Sequence, residues 1–298
     1  MHRRQLLDYG GMAVIWGLSF VLVLHVVGAF GWVGGVTFRA LIAAAILYLL
    51  ARVTRRTLRF GRVVPLVVVG ATTVAGQLIG LNVATPRIGT AMAAIFVGTI
   101  PLFSMLIGQV WGLERISPRG RVGLVLGFVG IVLLVGFPAV PVTPAFLLGC
   151  TASILGAISA AFGSNYAHAR LREVGSWEQT MGAFFFGGLM TLPLLLVVPV
   201  PTTPTPADYL WLVVLAAVCS ALAYVLYFRL VAEVGATIAI SVEFAVTVVA
   251  VAVGALILHE PVSPVQFLGA AVIITGCTLV LDLLPRPNND SRTASTPT

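Results

Sequence analysis

The chain has 298 residues, of which 59% are apolar and only 9% are charged. A soluble domain of this size carries charges on roughly a quarter of its residues, so this composition excludes an ordinary soluble fold. The apolar residues come in runs of about 20, the length at which a helix crosses the roughly 30 Å hydrocarbon core of a bilayer. The sequence therefore predicts an all-α integral membrane protein.

The formal net charge of +7 does not indicate a nucleic-acid-binding face. The basic residues are all arginines, and they lie in short clusters between apolar runs, as in the segment from Arg52 to Arg62. Arginines in such positions anchor loops against the negative face of a membrane. We expect the lipid bilayer and a small-molecule substrate as partners, and no nucleic acid.

Apolar runs and helix breakers together predict ten transmembrane helices, because only helices satisfy the backbone in lipid without forming a closed sheet. The predicted spans are Tyr9–Phe30, Val33–Leu50, Val63–Val83, Thr90–Trp111, Val122–Phe137, Phe146–Tyr166, Gln179–Val198, Tyr209–Phe228, Ala236–Leu258 and Val265–Leu284. The proline-rich linker from Pro199 to Asp208 is predicted to be extended, and the polar tail 285–298 is predicted to be disordered and cytoplasmic.

The distribution of arginines predicts the orientation of these spans. If the N-terminus is cytoplasmic, every arginine lies on the cytoplasmic side except Arg87, which lies outside, and Arg39, which lies within the second span. Such asymmetry follows the positive-inside rule. We therefore expect a multi-pass protein of a bacterial inner membrane with both termini in the cytoplasm.

The sequence also matches itself at a spacing of 146 residues. The matching pairs are Gly89 and Gly235, Ala93 and Ala239, Gly108 and Gly254, Glu114 and Glu260, Ser117 and Ser263, Pro118 and Pro264, Gly123 and Gly269, and Gly130 and Gly276. Four glycine pairs and a Glu-x-x-Ser-Pro signature in one register indicate an internal repeat rather than a shared apolar bias.

Five spans per repeat is an odd number, so the second copy enters the membrane from the opposite side. The predicted organisation is a first five-helix repeat over residues 1–137 and a second, inverted one over 138–284. Glu114 and Glu260 are then expected at opposite faces. Inverted repeats are typical of secondary transporters, although a duplicated scaffold with another role is the alternative.

Several motifs resemble those of EamA-type drug/metabolite transporters. They are Trp16-Gly17-Leu18-Ser19-Phe20 in the first span, Arg39 in the second, Pro101 followed by Glu114 in the fourth, and Glu260 closing the ninth. The resemblance covers about residues 9–284. It implies a central cavity lined by spans 1, 3, 4, 6, 8 and 9, and export of amino acids or other metabolites. The chain departs from the family at Thr247, where relatives often have proline, and at Glu243, where the first repeat has Val97.

Polar and aromatic residues on these spans are the candidate substrate-binding residues. Glu243 is the main candidate, because an acid in hydrocarbon needs a functional or structural reason. It is interpreted as a site for a substrate amine or a coupled proton, or alternatively as a structural carboxylate bonded to a neighbouring helix. The full set of cavity candidates is Trp16, Ser19, Gln77, Phe96, Thr99, Tyr224, Tyr227, Glu243 and Thr247.

Other polar residues are interpreted as structural. Arg39 is expected to extend toward the outer interface or to bond a backbone carbonyl. Asn82 and Asn165 lie near predicted span ends, where water would solvate them. The spacings of Gly76 with Gly80 and of Gly123 with Gly127 predict close packing of helices.

The sequence contains no phosphate-binding loop, HExxH zinc motif or Gly-x-Ser-x-Gly elbow, so we expect no enzyme, metal or cofactor. The predicted function is a secondary transporter that exports small organic solutes, most of all amino acids, by alternating access. The alternatives are an exporter of amphipathic drugs or other metabolites and, less favoured, a membrane enzyme.

Overall fold

The computed structural model of the chain describes residues 3–112, 117–136, 141–234 and 239–280. Within these residues the regular structure is entirely helical. We number the helical stretches α1 (Arg3–Val53), α2 (Val63–Ile88), α3 (Thr90–Val110), α4 (Pro118–Gly136), α5 (Pro144–Arg170), α6 (Ser176–Leu196), α7 (Pro206–Glu233), α8 (Val242–Leu256) and α9 (Pro264–Val280).

Six of these stretches are long and apolar enough to cross a membrane: α1, α2, α3, α5, α6 and α7. Helix α8 and residues 264–276 of α9 are shorter apolar helices. The apolar side chains on the outside, among them Leu49, Val125 and Leu155, are exposed as they would be to lipid. The chain is therefore a multi-pass membrane protein.

Helix α1 contains a reversal of the chain at Gly31. This glycine has φ 73° and ψ 170°, a conformation that a residue with a side chain rarely adopts. A Cβ added at Gly35 would lie 3.4 Å from Val26 Cγ1, although nine residues of a continuous helix would separate the two positions by about 13 Å. The two arms of α1, residues 3–30 and 32–53, therefore pack side by side. The predicted boundary between the first two spans falls at this residue.

Two helices contain π-helical segments at matching positions. Gly70–Gly76 in α2 and Leu215–Leu222 in α7 each replace part of the α-helix with wider turns. When the repeat spacing of 146 is added to the residue numbers of the first segment, the resulting range lies within the second segment. A π-turn leaves carbonyl groups that no longer bond within the helix, and such segments are frequent at functional sites.

Helices α4 and α9 form a close antiparallel pair. A Cβ added at Gly130 would lie 2.8 Å from the carbonyl oxygen of Gly269, and one added at Gly276 would lie 2.6 Å from the carbonyl oxygen of Gly123. The early glycine of each helix thus meets the late glycine of the other, which requires the helices to run in opposite directions. The close packing predicted for Gly123 and Gly127 is confirmed, since Gly276 also lies against the Gly127 backbone.

Helices α2 and α5 also approach through glycines. A Cβ on Gly80 would lie 2.5 Å from the carbonyl oxygen of Ala152 and 2.9 Å from the Cα of Gly156. The prediction that Gly76 and Gly80 allow close helix packing is therefore confirmed. Glu114, Gly235 and the tail 285–298 lie outside the described residues, so their predicted positions and the predicted disorder remain predictions.

Candidate functional site

Three of the predicted cavity residues form one aromatic cluster in the centre of the bundle. The ring of Trp16, in the first arm of α1, lies 5.2 Å from that of Tyr224 and 5.6 Å from that of Tyr227, both on α7. The ring of Phe184 on α6 lies 4.9 Å from Tyr224 on another side. Trp16, Tyr224 and Tyr227 are at most 9% exposed. The two Tyr224 contacts are edge-to-face and the Trp16–Tyr227 contact is tilted, and together they hold the ring planes in place.

The polar atoms of this aromatic cluster bond to three neighbouring helices. The indole Nε1 of Trp16 donates to the carbonyl oxygen of Cys219 at 3.0 Å, within the π-helical segment of α7. The Tyr227 hydroxyl contacts Ser164 Oγ on α5 at 3.1 Å, and the Tyr224 hydroxyl lies 3.5 Å from Gln77 Oε1 on α2. This distance brings Gln77, another of the predicted cavity residues, to the cluster. Ser164 and Phe184 were not predicted, because ordinary apolar patterning does not distinguish them.

Glu243 lies in the first turn of α8 and is 7% exposed. Residues 239–240 are helical and Ser241 forms a turn, so the helix is interrupted just before this acid. Free backbone N–H groups of a first helical turn favour a carboxylate. Among the residues that the structure describes, the Glu243 carboxylate has no hydrogen-bond or ion-pair partner, and the nearby Tyr9 hydroxyl donates instead to the backbone oxygen of Ser241 at 2.7 Å. The structural alternative, a bonded carboxylate, has no support among these residues.

The hydroxyls of three remaining candidates, Ser19, Thr99 and Thr247, bond backbone carbonyls. Ser19 donates to the Trp16 oxygen at 2.7 Å, and Thr99 to the Phe96 oxygen at 2.6 Å. Thr247 donates to the oxygens of Glu243 and Ala94, which ties α8 to α3. Phe96 is fully buried in the core. These four residues shape the helices around the site, and their predicted contact with substrate stays a prediction.

The expectation that Arg39 reaches the outer interface is wrong. Its side chain is 3% exposed, and Nε donates to Ser220 Oγ at 2.5 Å while Nη2 donates to the Cys219 oxygen at 3.4 Å. The bond to a backbone carbonyl was anticipated, but not its place beside the aromatic cluster. The reason is the π-helical segment of α7, which presents the Cys219 carbonyl to both Arg39 and Trp16. Sequence patterns do not reveal such a segment.

The expected solvation of Asn82 and Asn165 is also wrong. Asn82 is 3% exposed and donates to the Trp32 carbonyl at 3.2 Å, which joins α2 to the second arm of α1. Asn165 is 6% exposed and donates to both the backbone oxygen and the Oγ of Ser104. Both amides link helices, because a buried amide must find partners within the protein.

Glu260 links the end of α8 to the start of α3. Its carboxylate accepts hydrogen bonds from the Thr90 backbone N–H at 2.7 Å, the Thr90 hydroxyl at 2.9 Å and the Ala91 backbone N–H at 2.8 Å. Gly89 and Gly254 leave the space for it, since a Cβ on either would approach its Oε2 closely. The carboxylate thus caps a helix that begins 170 residues earlier in the chain.

Replacing Glu260 with glutamine should lower the free energy of unfolding by about 1–3 kcal/mol, because the amide cannot accept all three hydrogen bonds. Thermal unfolding of the purified protein in detergent measures this loss. Glu233→Gln is the control. Glu233 forms an exposed ion pair with Arg229, at 3.9 Å, and an exposed ion pair contributes little to stability. Equal unfolding temperatures for the two variants would contradict the capping role.

Within the described residues no group of three or more His, Cys, Asp or Glu side chains is arranged to hold a metal ion. The site instead combines an aromatic wall, one buried carboxylate and one buried guanidinium. Such a set can bind an organic molecule by its charge and its apolar surface.

A bundle of apolar helices, interrupted at several points around a buried polar site, defines the class of multi-pass membrane transporters. The family model of the EamA-like transporter family matches residues 11–136 and 147–282, and the chain belongs to this family.

Two curated proteins are similar to the chain in sequence. The chain is 28% identical over 221 residues to "Protein PecM" of Dickeya dadantii, covering 73% of each protein. It is 27% identical over 293 residues to "Uncharacterized inner membrane transporter YedA" of Escherichia coli K12, covering 94% of this chain and 92% of that one. A solved crystal structure matches with a TM-score of 0.70 at 16% identity, covering 95% of this chain and 98% of the other, which supports the fold.

Proposed function

We propose that this transporter exports small organic solutes that carry an amine, foremost amino acids, by alternating access. The observation that carries the proposal is Glu243, a buried carboxylate without a partner among the described residues, at the start of a helix that contacts the arm of α1 carrying Trp16. Substrate recognition and proton coupling can both be assigned to this acid, because an ammonium group and a proton compete for the same oxygens.

The aromatic cluster favours an amine over a neutral solute. The negative faces of Trp and Tyr rings attract ammonium groups, and the attraction is strongest where water is excluded. Desolvating a carboxylate is unfavourable, so a membrane acid is stable when it holds a proton or faces a bound cation. Exchange of a proton for a substrate amine at Glu243 would couple export to the proton gradient.

We further propose ten spans arranged as two inverted repeats of five, residues 1–137 and 138–284. The reversal at Gly31 supports counting α1 as two spans. The π-helical segments lie at positions related by 146 residues, and α4 packs antiparallel to α9 through glycines related by the same spacing. The family model also matches two segments of similar length. Repeats of opposite orientation allow inward-open and outward-open states to interchange.

The proposed orientation places both termini on the cytoplasmic side of an inner membrane, the membrane named in the description of YedA. A cysteine introduced at Thr203, an exposed residue of the linker between α6 and α7, should then react with an impermeant maleimide added to intact cells. A cysteine at the exposed Arg56 is the control, and should react only after permeabilisation. Labelling of the Arg56 variant alone in intact cells would contradict this orientation.

A screen of amino acids for efflux from whole cells tests the substrate proposal. Cells that express the protein should lose a preloaded amino acid faster than cells that express Glu243→Gln. The second candidate, export of amphipathic amines, is favoured by the breadth of the aromatic wall. Faster loss of amphipathic amines, with no faster loss of any amino acid, would support this second candidate. A chemically altered product in the medium would select the membrane enzyme instead.

A further inference from the structure

Arg39 is a buried charge that the proposed exchange at Glu243 does not use. Arg39 lies in the second arm of α1, is 3% exposed, and has two hydrogen bonds to the π-helical segment of α7. Its Nη1 is buried and has no hydrogen-bond partner within the described residues. No acidic side chain of these residues lies within ion-pair distance. A guanidinium in hydrocarbon is destabilised unless an anion or several acceptors satisfy it.

The guanidinium of Arg39 lies next to the aromatic cluster. The Cys219 carbonyl oxygen accepts from Arg39 Nη2 at 3.4 Å and from Trp16 Nε1 at 3.0 Å, so both groups lie within hydrogen-bond distance of one oxygen. Trp16 in turn contacts Tyr224 and Tyr227. The guanidinium whose Nη1 lacks a partner therefore borders the aromatic cluster.

Arg39 and Glu243 approach this site from different elements. Arg39 is bonded to Ser220 of α7, whereas Glu243 lies in the first turn of α8, whose preceding residue Ser241 accepts a hydrogen bond from the Tyr9 hydroxyl of the first arm of α1. They are not paired with each other. A buried cation and a buried acid that do not neutralise each other match the two charges of an amino-acid zwitterion.

We infer that Arg39 is the carboxylate-recognition residue of the substrate site, with Nη1 as the donor to the substrate and Glu243 facing the ammonium group. This inference rests on the proposed export of amino acids. Arginine suits the role because its planar guanidinium can bond a carboxylate through two N–H groups while the other nitrogens keep their protein partners. Substrate entry would supply the acceptor that Nη1 lacks.

The experiment is competition in liposomes containing the purified protein. Uptake of one radiolabelled neutral amino acid, selected from the efflux screen, is competed by the unlabelled amino acid and by its carboxamide, which keeps the ammonium group and loses the carboxylate. The wild-type protein should prefer the acid by about 30-fold, as expected for loss of a buried charged hydrogen bond worth about 2 kcal/mol. Arg39→Gln should reduce this preference to about one.

Two further variants distinguish recognition from a structural role. Ser220→Ala removes one partner of Arg39 but keeps the cation, so it should keep the preference for the acid. Arg39→Lys keeps the charge without the planar fork, so its preference should fall between those of wild type and Arg39→Gln. A structural role alone would lower transport of all competitors equally and leave their ratio unchanged.

The results that would contradict the role of Arg39 differ from those that would contradict the export of amino acids. A wild-type protein for which the carboxamide competes as well as the acid overturns the role of Arg39, whether or not its variants fold. A folded Arg39→Gln variant that keeps the 30-fold preference also overturns it, while amino-acid transport stands. A wild-type protein that takes up no amino acid overturns the proposed function, and the inference with it.

Discussion

Replacing Glu243 with glutamine should lower the export of amine-bearing solutes by about 30-fold, because the loss of a buried charge partner costs about 2 kcal/mol or more. The amide has nearly the same shape as the acid, and the described residues offer Glu243 no hydrogen bond that the change would break. Folding should therefore be preserved, and efflux of preloaded radiolabelled substrate from cells measures the effect.

The same variant should also lose its dependence on external pH. An amide cannot take up a proton between acidic and neutral pH, so exchange of a proton for substrate at this position would cease. Glu233→Gln is the matched control, since it makes the same chemical change at an exposed position. If Glu243→Gln reaches wild-type abundance and exports at the wild-type rate across this pH range, the acid is structural and coupling at Glu243 fails.

Gly80→Leu should strongly reduce the yield of folded protein. The atoms that face a side chain at position 80 belong to the backbone of Ala152 and Gly156, which cannot rotate away. Helices α2 and α5 would have to separate, at a cost of about 3 kcal/mol or more. Separation would also displace Gln77, one turn away on the same helix, from Tyr224.

The control for Gly80→Leu is Gly28→Leu. Gly28 is exposed on the first arm of α1, and no atom lies within 4 Å of a Cβ added there. Leucine at that position would face lipid, where it is favourable. Size-exclusion chromatography of both variants in detergent should give a normal peak for Gly28→Leu and aggregate for Gly80→Leu. Normal peaks for both would contradict the close packing of α2 and α5.

The membrane class and the polarity of the site could be predicted from the sequence because both depend on residue type. Apolar runs predict spans whatever their neighbours, and an acid such as Glu243 is conspicuous within one. Trp16, Tyr224 and Tyr227 could be identified as candidates by their type and their position in spans. Their mutual contacts needed the structure.

The remaining features depend on local backbone geometry that residue type does not determine. Leu215–Leu222 reads as an ordinary apolar helix, yet its π-turns direct the Cys219 carbonyl to Trp16 and Arg39. The interruption at Ser241 likewise places Glu243 in a first turn rather than in mid-helix. The sequence therefore left two positions open for Arg39, the outer interface or a bond to a backbone carbonyl, and the structure has the second.

Counterflow in liposomes tests whether this chain carries amine-bearing solutes through a site built on Glu243. Liposomes containing purified protein are loaded with an unlabelled amino acid and diluted into a trace of the labelled one. A carrier whose site depends on Glu243 should give transient accumulation of label. This accumulation should saturate with substrate and be absent from Glu243→Gln liposomes. Passive, unsaturable entry of label, or accumulation that is the same in the Glu243→Gln variant, would contradict this expectation.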